Sequence, residues 1–177
     1  EGSRASSLVD AARLDAIAEA AAHRFRTAQP FPHLVLDGLF TDDVLERVMH
    51  EVPGDAAAWT TWDTRNERKQ VCSDVARFGP TAESLVHALN GSTFVRFLER
   101  LAAIDGLIPD PHLQAAGYMR SSPGGFLNLH EDFATHRGMR LERRINVLVY
   151  LNRDWCPEWG GQLELHPAAG AGGGEVV

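Results

Sequence analysis

The residues of this chain best placed to do chemistry are His130 and Asp132, in the run Leu127-Asn128-Leu129-His130-Glu131-Asp132-Phe133. Side chains alternate along an extended segment, so these two point to one face with Asn128, while Leu127, Leu129, Glu131 and Phe133 point to the other. An imidazole and a carboxylate two residues apart on one face can grip a single metal ion. They supply two members of a 2-His-1-carboxylate triad, which leaves three positions open on Fe(II) for a bidentate cosubstrate and dioxygen. The competing account is a surface histidine beside an acid. The apolar rear face favours the metal, because ionisable groups on the front of a buried strand must be paired, hydrated or metal-bound.

A second run, residues 144–152, alternates as well. Ile145, Val147, Val149 and Leu151 make one wholly apolar face, and Asn146, Leu148 and Tyr150 make a mixed one. The mixed face suits either solvent or a cavity in which amide and hydroxyl donors are set into apolar walls around a dicarboxylate.

The elements that must position these residues divide the chain in two. From Ser7 to about Thr27, Leu8, Ala11, Leu14, Ile17, Ala18, Ala21 and Phe25 recur at helical spacing, with Ser7 and Asp10 resembling a capping box. Residues 31–37 read as a strand. Thr41 then caps a helix whose buried stripe is Val44, Leu45, Val48, Met49 and Val52, with Asp42 and Asp43 in its first turn. Residues 53–80 read as short strands and loops. Helices are expected at 81–89 and 92–104, the second with Phe94, Phe97, Leu98 and Leu101 on one face. Short strands punctuated by glycine and proline follow at 113–120, 126–133, 144–151 and 162–166. Helices followed by antiparallel strands predict an α+β fold, one form of which is a helix-supported double-stranded β-helix.

Composition narrows the partners. The chain has 177 residues, 44% of them hydrophobic, which suits one domain with a sizeable core. Acids outnumber bases 24 to 17 for a net charge of -7, which argues against a nucleic-acid surface and for a small-molecule or protein partner. Cys72 and Cys156 have no metal-type spacing and indicate no disulfide framework, consistent with a reducing cytoplasm. No stretch reads as a membrane span or as the apolar core of a signal peptide. Oligomeric state has no signature here.

The runs GYMRSSPGGFLNLHEDF and RRINVLVYLNRDWCPEWGGQLEL resemble the prolyl-4-hydroxylase-like branch of the 2-oxoglutarate/Fe(II) oxygenases, and FPHLVLDGLFTDDVLERV and LIPDPHLQAAGYM are similar to the N-terminal portion of bacterial members. The resemblance implies a double-stranded β-helix (jelly roll) core over residues 113–177, supported by residues 1–105, in a single oxygenase domain. It makes His130 and Asp132 iron ligands and catalytic residues. Tyr150 would hydrogen-bond the far carboxylate of 2-oxoglutarate with Asn146 beside it. Tyr118 falls where members place a tyrosine against the cosubstrate, or is a core aromatic. Gly160 and Gly161 would turn into the strand bearing Leu163 and Leu165, with Trp155 and Trp159 packed around that turn.

The implied activity is a dioxygenase using Fe(II), 2-oxoglutarate and dioxygen to hydroxylate a C–H bond of an amino acid, a prolyl residue or a natural-product intermediate. The carboxylate at Asp132 favours hydroxylation, since related halogenases carry a small residue there. Members also carry a second histidine and a downstream Arg or Lys for the cosubstrate, and neither is identifiable. His166 reads as a surface residue and His136 as a loop residue too near the motif, so the last strands of the jelly roll are expected to be missing from the sequence. Arg120, Arg143 and Arg144 read as solvated positions, the alternative being that they receive an acidic substrate at the mouth of the site. Two rivals differ in class: a cupin-type metal barrel, which would show H-x-H in the motif strand, and a non-catalytic jelly-roll interaction module.

Overall fold

The computed structural model of the chain describes residues 8–114, 116–167 and 174–176. Helix α1 (Ala11–Thr27) begins where the Asp10 carboxylate accepts the Arg13 N–H at 3.0 Å, so Asp10 is itself the cap. Ser7, the other half of the expected capping box, lies outside the described residues. Leu14, Ala18 and Ala21 of α1 meet Phe94, Phe97 and Leu101 of α4 (Ser92–Ala102), and these six buried residues form one core cluster. Their spacing places each set on one helical face, and burying each large side chain contributes about 1.5–3 kcal/mol. An Arg100–Asp15 ion pair spans the edge of the same contact.

Thr41 occupies the N-cap of α2 (Asp42–His50), but its side chain makes no capping bond. Of the expected stripe on α2 only Val48 is fully buried, and Met49 is exposed. The residue after the helix matters more. Glu51 reaches α3 (Pro80–Asn90), whose N-cap is Gly79, and accepts the Thr81 and Ala82 N–H groups at 3.0 and 2.8 Å. A carboxylate thus supplies the acceptor that glycine lacks. Burial works to raise the Glu51 pKa, yet the hydrogen bonds from Thr81 and Ala82 and the nearby Arg47 outweigh it and hold the group below its ordinary value.

The antiparallel sheet is built on β2 (Glu67–Cys72), flanked on one side by β1 (Thr60–Asp63). On its other side lie β3 (Tyr118–Arg120) and β4 (Phe126–Leu127), one interrupted strand. Arg120 pairs with Gln70 and Phe126 with Arg68, so residues 121–125 loop out opposite Lys69 alone. Gly117 makes the entry to β3 possible: at φ 140° it lies so close to β2 that a Cβ would sit 2.2 Å from the Cys72 carbonyl oxygen. Cys72 and Tyr118 belong to a second core cluster with Phe40, Val48, Trp59, Ala82 and Leu85. Val149 and Leu151 pack against it, which ties the C-terminal half to the helices.

Several expected strands are shorter or carry no ladder. Residues 31–37 have none, although Leu34 and Leu36 face the α1–α4 core as their alternation requires. The span 113–120 narrows to Tyr118–Arg120, 126–133 to Phe126–Leu127, and 162–166 to Glu164–Leu165 (β5), which pairs with β6 (Glu175–Val176). Residues 144–151 carry none. A strand needs a neighbour for its N–H and C=O groups, and among the described residues no segment runs beside 129–133 or 144–151. The expected buried rear face is accordingly open: Leu127 and Phe133 are exposed and Leu129 is 73% exposed. No helix of the described residues is long and apolar enough to cross a membrane.

Candidate metal centre

Pairing of β4 with β2 brings the chain to the site. After Leu127, the Asn128 N–H donates to the Asn66 carbonyl at 2.8 Å and its side-chain amide to the Arg65 carbonyl at 3.2 Å, so Asn128 is pinned at the sheet end. His130 then lies with Nδ1 2.8 Å from the Asn128 carbonyl oxygen. A carbonyl can only accept, so Nδ1 carries a proton, and in the neutral form of the ring the lone pair lies on Nε2. That Nε2 is 3.5 Å from Oδ1 of Asp132.

In that neutral form two acceptors face each other across this gap, an arrangement relieved by a cation between them, either a proton on Nε2 or a metal ion. Donors bound at right angles about 2.1 Å from one first-row ion sit about 3.0 Å apart, so the pair needs to close only slightly to share one. The side chains are 48% and 50% exposed. The expected enclosure in a barrel pocket is therefore not what the structure shows, because no second layer of the described residues covers this side.

The other oxygen of Asp132 is engaged differently. Oδ2 is 3.2 Å from an Arg143 guanidinium nitrogen and accepts from the Asn146 amide at 3.4 Å. Asn146 thus reaches the oxygen of Asp132 that faces away from His130. Arg143 was read as solvated; its side chain is instead only 23% exposed, with its guanidinium 4.4 Å from the centroid of the Phe133 ring. No local pattern announces this contact, since it depends on the hairpin that folds residues 134–143 back on themselves.

That hairpin is closed by Arg143 N–H to the Ala134 carbonyl and His136 N–H to the Leu141 carbonyl, each at 2.8 Å. His136 lies in this hairpin loop, as expected, and is buried there. Its Nδ1 accepts the Met139 N–H at 3.0 Å, which leaves the ring proton on Nε2, 3.3 Å from Asp110. The loop after α4 that carries Asp110 thus lies beside the hairpin tip, although the buried Nε2 makes no hydrogen bond to it.

Among the described residues, no hydrogen bond or ion pair joins the remaining expected site residues to the pair. Tyr118 is buried, donates its hydroxyl to the Val48 carbonyl at 3.0 Å and stacks edge-on with Phe78. Desolvation by burial, helped by Glu51 and Cys72, pushes its pKa up to about 12, so it remains a donor across the physiological range. Tyr150 is 58% exposed, although nearby protein withdraws enough water from the phenol to raise its pKa. Gly160 and Gly161 both have positive φ at the expected turn, where Trp155 donates to the Gly160 carbonyl at 2.9 Å and Trp159 is exposed. His166 pairs with Glu164 at 3.1 Å. A cavity on the sheet, between β1, β2 and the 121–125 loop, includes neither His130 nor Asp132 in its lining. Among the described residues, no third His, Cys, Asp or Glu groups with the pair into a metal cluster.

Residues 113–176 match the family model of the 2OG-Fe(II) oxygenase superfamily. The matched segment contains His130, Asp132, Arg143, Asn146 and Tyr150, and it begins just before β3. The match supports a general oxygenase role and, with it, iron, 2-oxoglutarate and dioxygen as the reagents. The mixed architecture with an antiparallel sheet is compatible with that superfamily. No curated protein and no solved structure matches the chain.

Proposed function

We propose that the protein is an Fe(II)- and 2-oxoglutarate-dependent dioxygenase of the prolyl-4-hydroxylase-like branch, built on a double-stranded β-helix. It hydroxylates an unactivated C–H bond of an amino acid, a prolyl residue or a natural-product intermediate. The observation that carries this reading is the 3.5 Å approach of two potential ligand atoms, His130 Nε2 and Asp132 Oδ1, inside the segment that matches the oxygenase family.

His130 would hold the metal through Nε2, its ring fixed by the bond from Nδ1–H to Asn128, and Asp132 through Oδ1. When bound, iron with 2-oxoglutarate and dioxygen supplies the oxidising power that inserts one oxygen atom into C–H, with succinate and carbon dioxide as coproducts. Asn146 orients the carboxylate from its far side. Tyr150, on the same side of its run as Asn146, offers an exposed phenol to a cosubstrate carboxylate. We give Tyr118 a packing role instead, since its hydroxyl is committed to Val48. The family pattern also calls for a second histidine and a basic residue, which the described residues do not add to the pair.

Calorimetric titration with 2-oxoglutarate, in anaerobic buffer with and without Fe(II), tests the proposal. Binding is expected only with the metal present, since the cosubstrate chelates it. Equal binding in both cases, or none to the iron-loaded protein, would overturn the proposed function.

A further inference from the structure

We propose that Arg143 is a positioning residue that assigns the two oxygens of Asp132 to different tasks, holding Oδ2 so that Oδ1 alone is presented to a metal. The inference deepens the proposed function and rests on the reading of Asp132 as a ligand. An unrestrained carboxylate rotates and offers either oxygen, or both, to a cation. Here Oδ2 is held at 3.2 Å by Arg143 and at 3.4 Å by Asn146, while Oδ1 faces His130. With Oδ2 occupied, bidentate coordination is disfavoured, and a coordination position is saved for the reagents.

Arg143 is built for this task. Its backbone closes the 134–143 hairpin and its guanidinium packs on the Phe133 ring, one residue from the carboxylate it holds. His136 is buried at the hairpin tip, with Nδ1 accepting the Met139 N–H. The neighbouring Arg144 contrasts with it, being half exposed and paired with Glu142. Lysine would retain the charge at position 143 but not the planar surface that stacks on Phe133 while donating sideways. Two effects oppose one another: the guanidinium charge repels a divalent cation, whereas the fixed orientation removes a cost of ordering the carboxylate. Loss of such outer contacts lowers metal affinity about 10- to 100-fold, which indicates that orientation wins.

The test is Co(II) binding followed by visible absorption in wild-type protein and in the Arg143→Ala and Arg143→Lys variants, with thermal melts to establish folding. We expect Arg143→Ala to bind Co(II) at least about tenfold more weakly and Arg143→Lys to recover part of the loss. The Co(II) spectrum of the alanine variant should also change, because its carboxylate is free to bind through both oxygens. If wild type binds and a folded Arg143→Ala binds equally or more tightly, this proposal falls while the metal reading stands. If Arg143→Ala does not fold, Arg143→Lys decides: wild-type affinity together with a wild-type spectrum overturns the proposal. Wild-type protein that binds no metal overturns both.

Discussion

Replacing Asp132 with alanine is expected to abolish divalent metal binding and 2-oxoglutarate turnover while leaving the fold nearly intact. The carboxylate is the only anionic group facing His130 Nε2 within the described site, at 3.5 Å, and its removal takes away both a ligand bond and the negative charge that offsets the cation. A loss of several kcal/mol corresponds to a decrease on the order of a thousandfold. The stability cost is much smaller. The Asp132 side chain is half exposed, and its contacts with Arg143 and Asn146 contribute at most about 1 kcal/mol in that setting. Parallel metal titrations and thermal melts check the split. Undiminished metal affinity in Asp132→Ala would remove this residue from the ligand set.

The Gly117→Ala substitution is expected to produce the largest single loss of stability. A methyl group there would lie 2.2 Å from the Cys72 carbonyl oxygen and 3.0 Å from the Ser73 Cα, both backbone atoms that cannot swing aside. Overpacking of this kind, added to a φ of 140° that L-residues avoid, costs about 3 kcal/mol or more. For a chain of this size the melting temperature should fall by roughly 6–12 °C. Gly124 provides the control, because it also has positive φ but no atom within 4 Å of an added Cβ. Alanine at position 124 should cost only the backbone strain, about 1–2 kcal/mol. Similar melting temperatures for the two variants would contradict the close approach of β3 to β2.

The helices were legible in the sequence because their signals are local. Leu14, Ala18 and Ala21, and Phe94, Phe97 and Leu101, repeat at a spacing that only a helix gathers on one face. Strand extents were less legible, since a ladder requires a partner whose position no local pattern gives: residues 144–151 have the alternation of a strand, yet none of the described residues pairs with them. Alternation still says which side chains share a side. It brings His130 to Asp132 across one intervening residue, and it places Val149 and Leu151 against the core while Asn146 and Tyr150 face outward. Arg143 was misjudged for the opposite reason. It sits in a short polar hairpin that looks solvated in sequence, and only the fold back to Ala134 partly buries it. Glu51 had no local signal either, since it acts as a helix cap from 30 residues before Thr81 in the chain.

The most direct test is the state of the His130 ring in metal-loaded protein, read from long-range nitrogen–proton correlations of histidine-labelled material with Zn(II) as a diamagnetic stand-in for iron. The account predicts that Nδ1 keeps the proton it donates to Asn128, while the Nε2 resonance moves to the position of a metal-bound nitrogen. A proton found on Nε2, or an Nε2 signal unmoved at saturating metal, would contradict it.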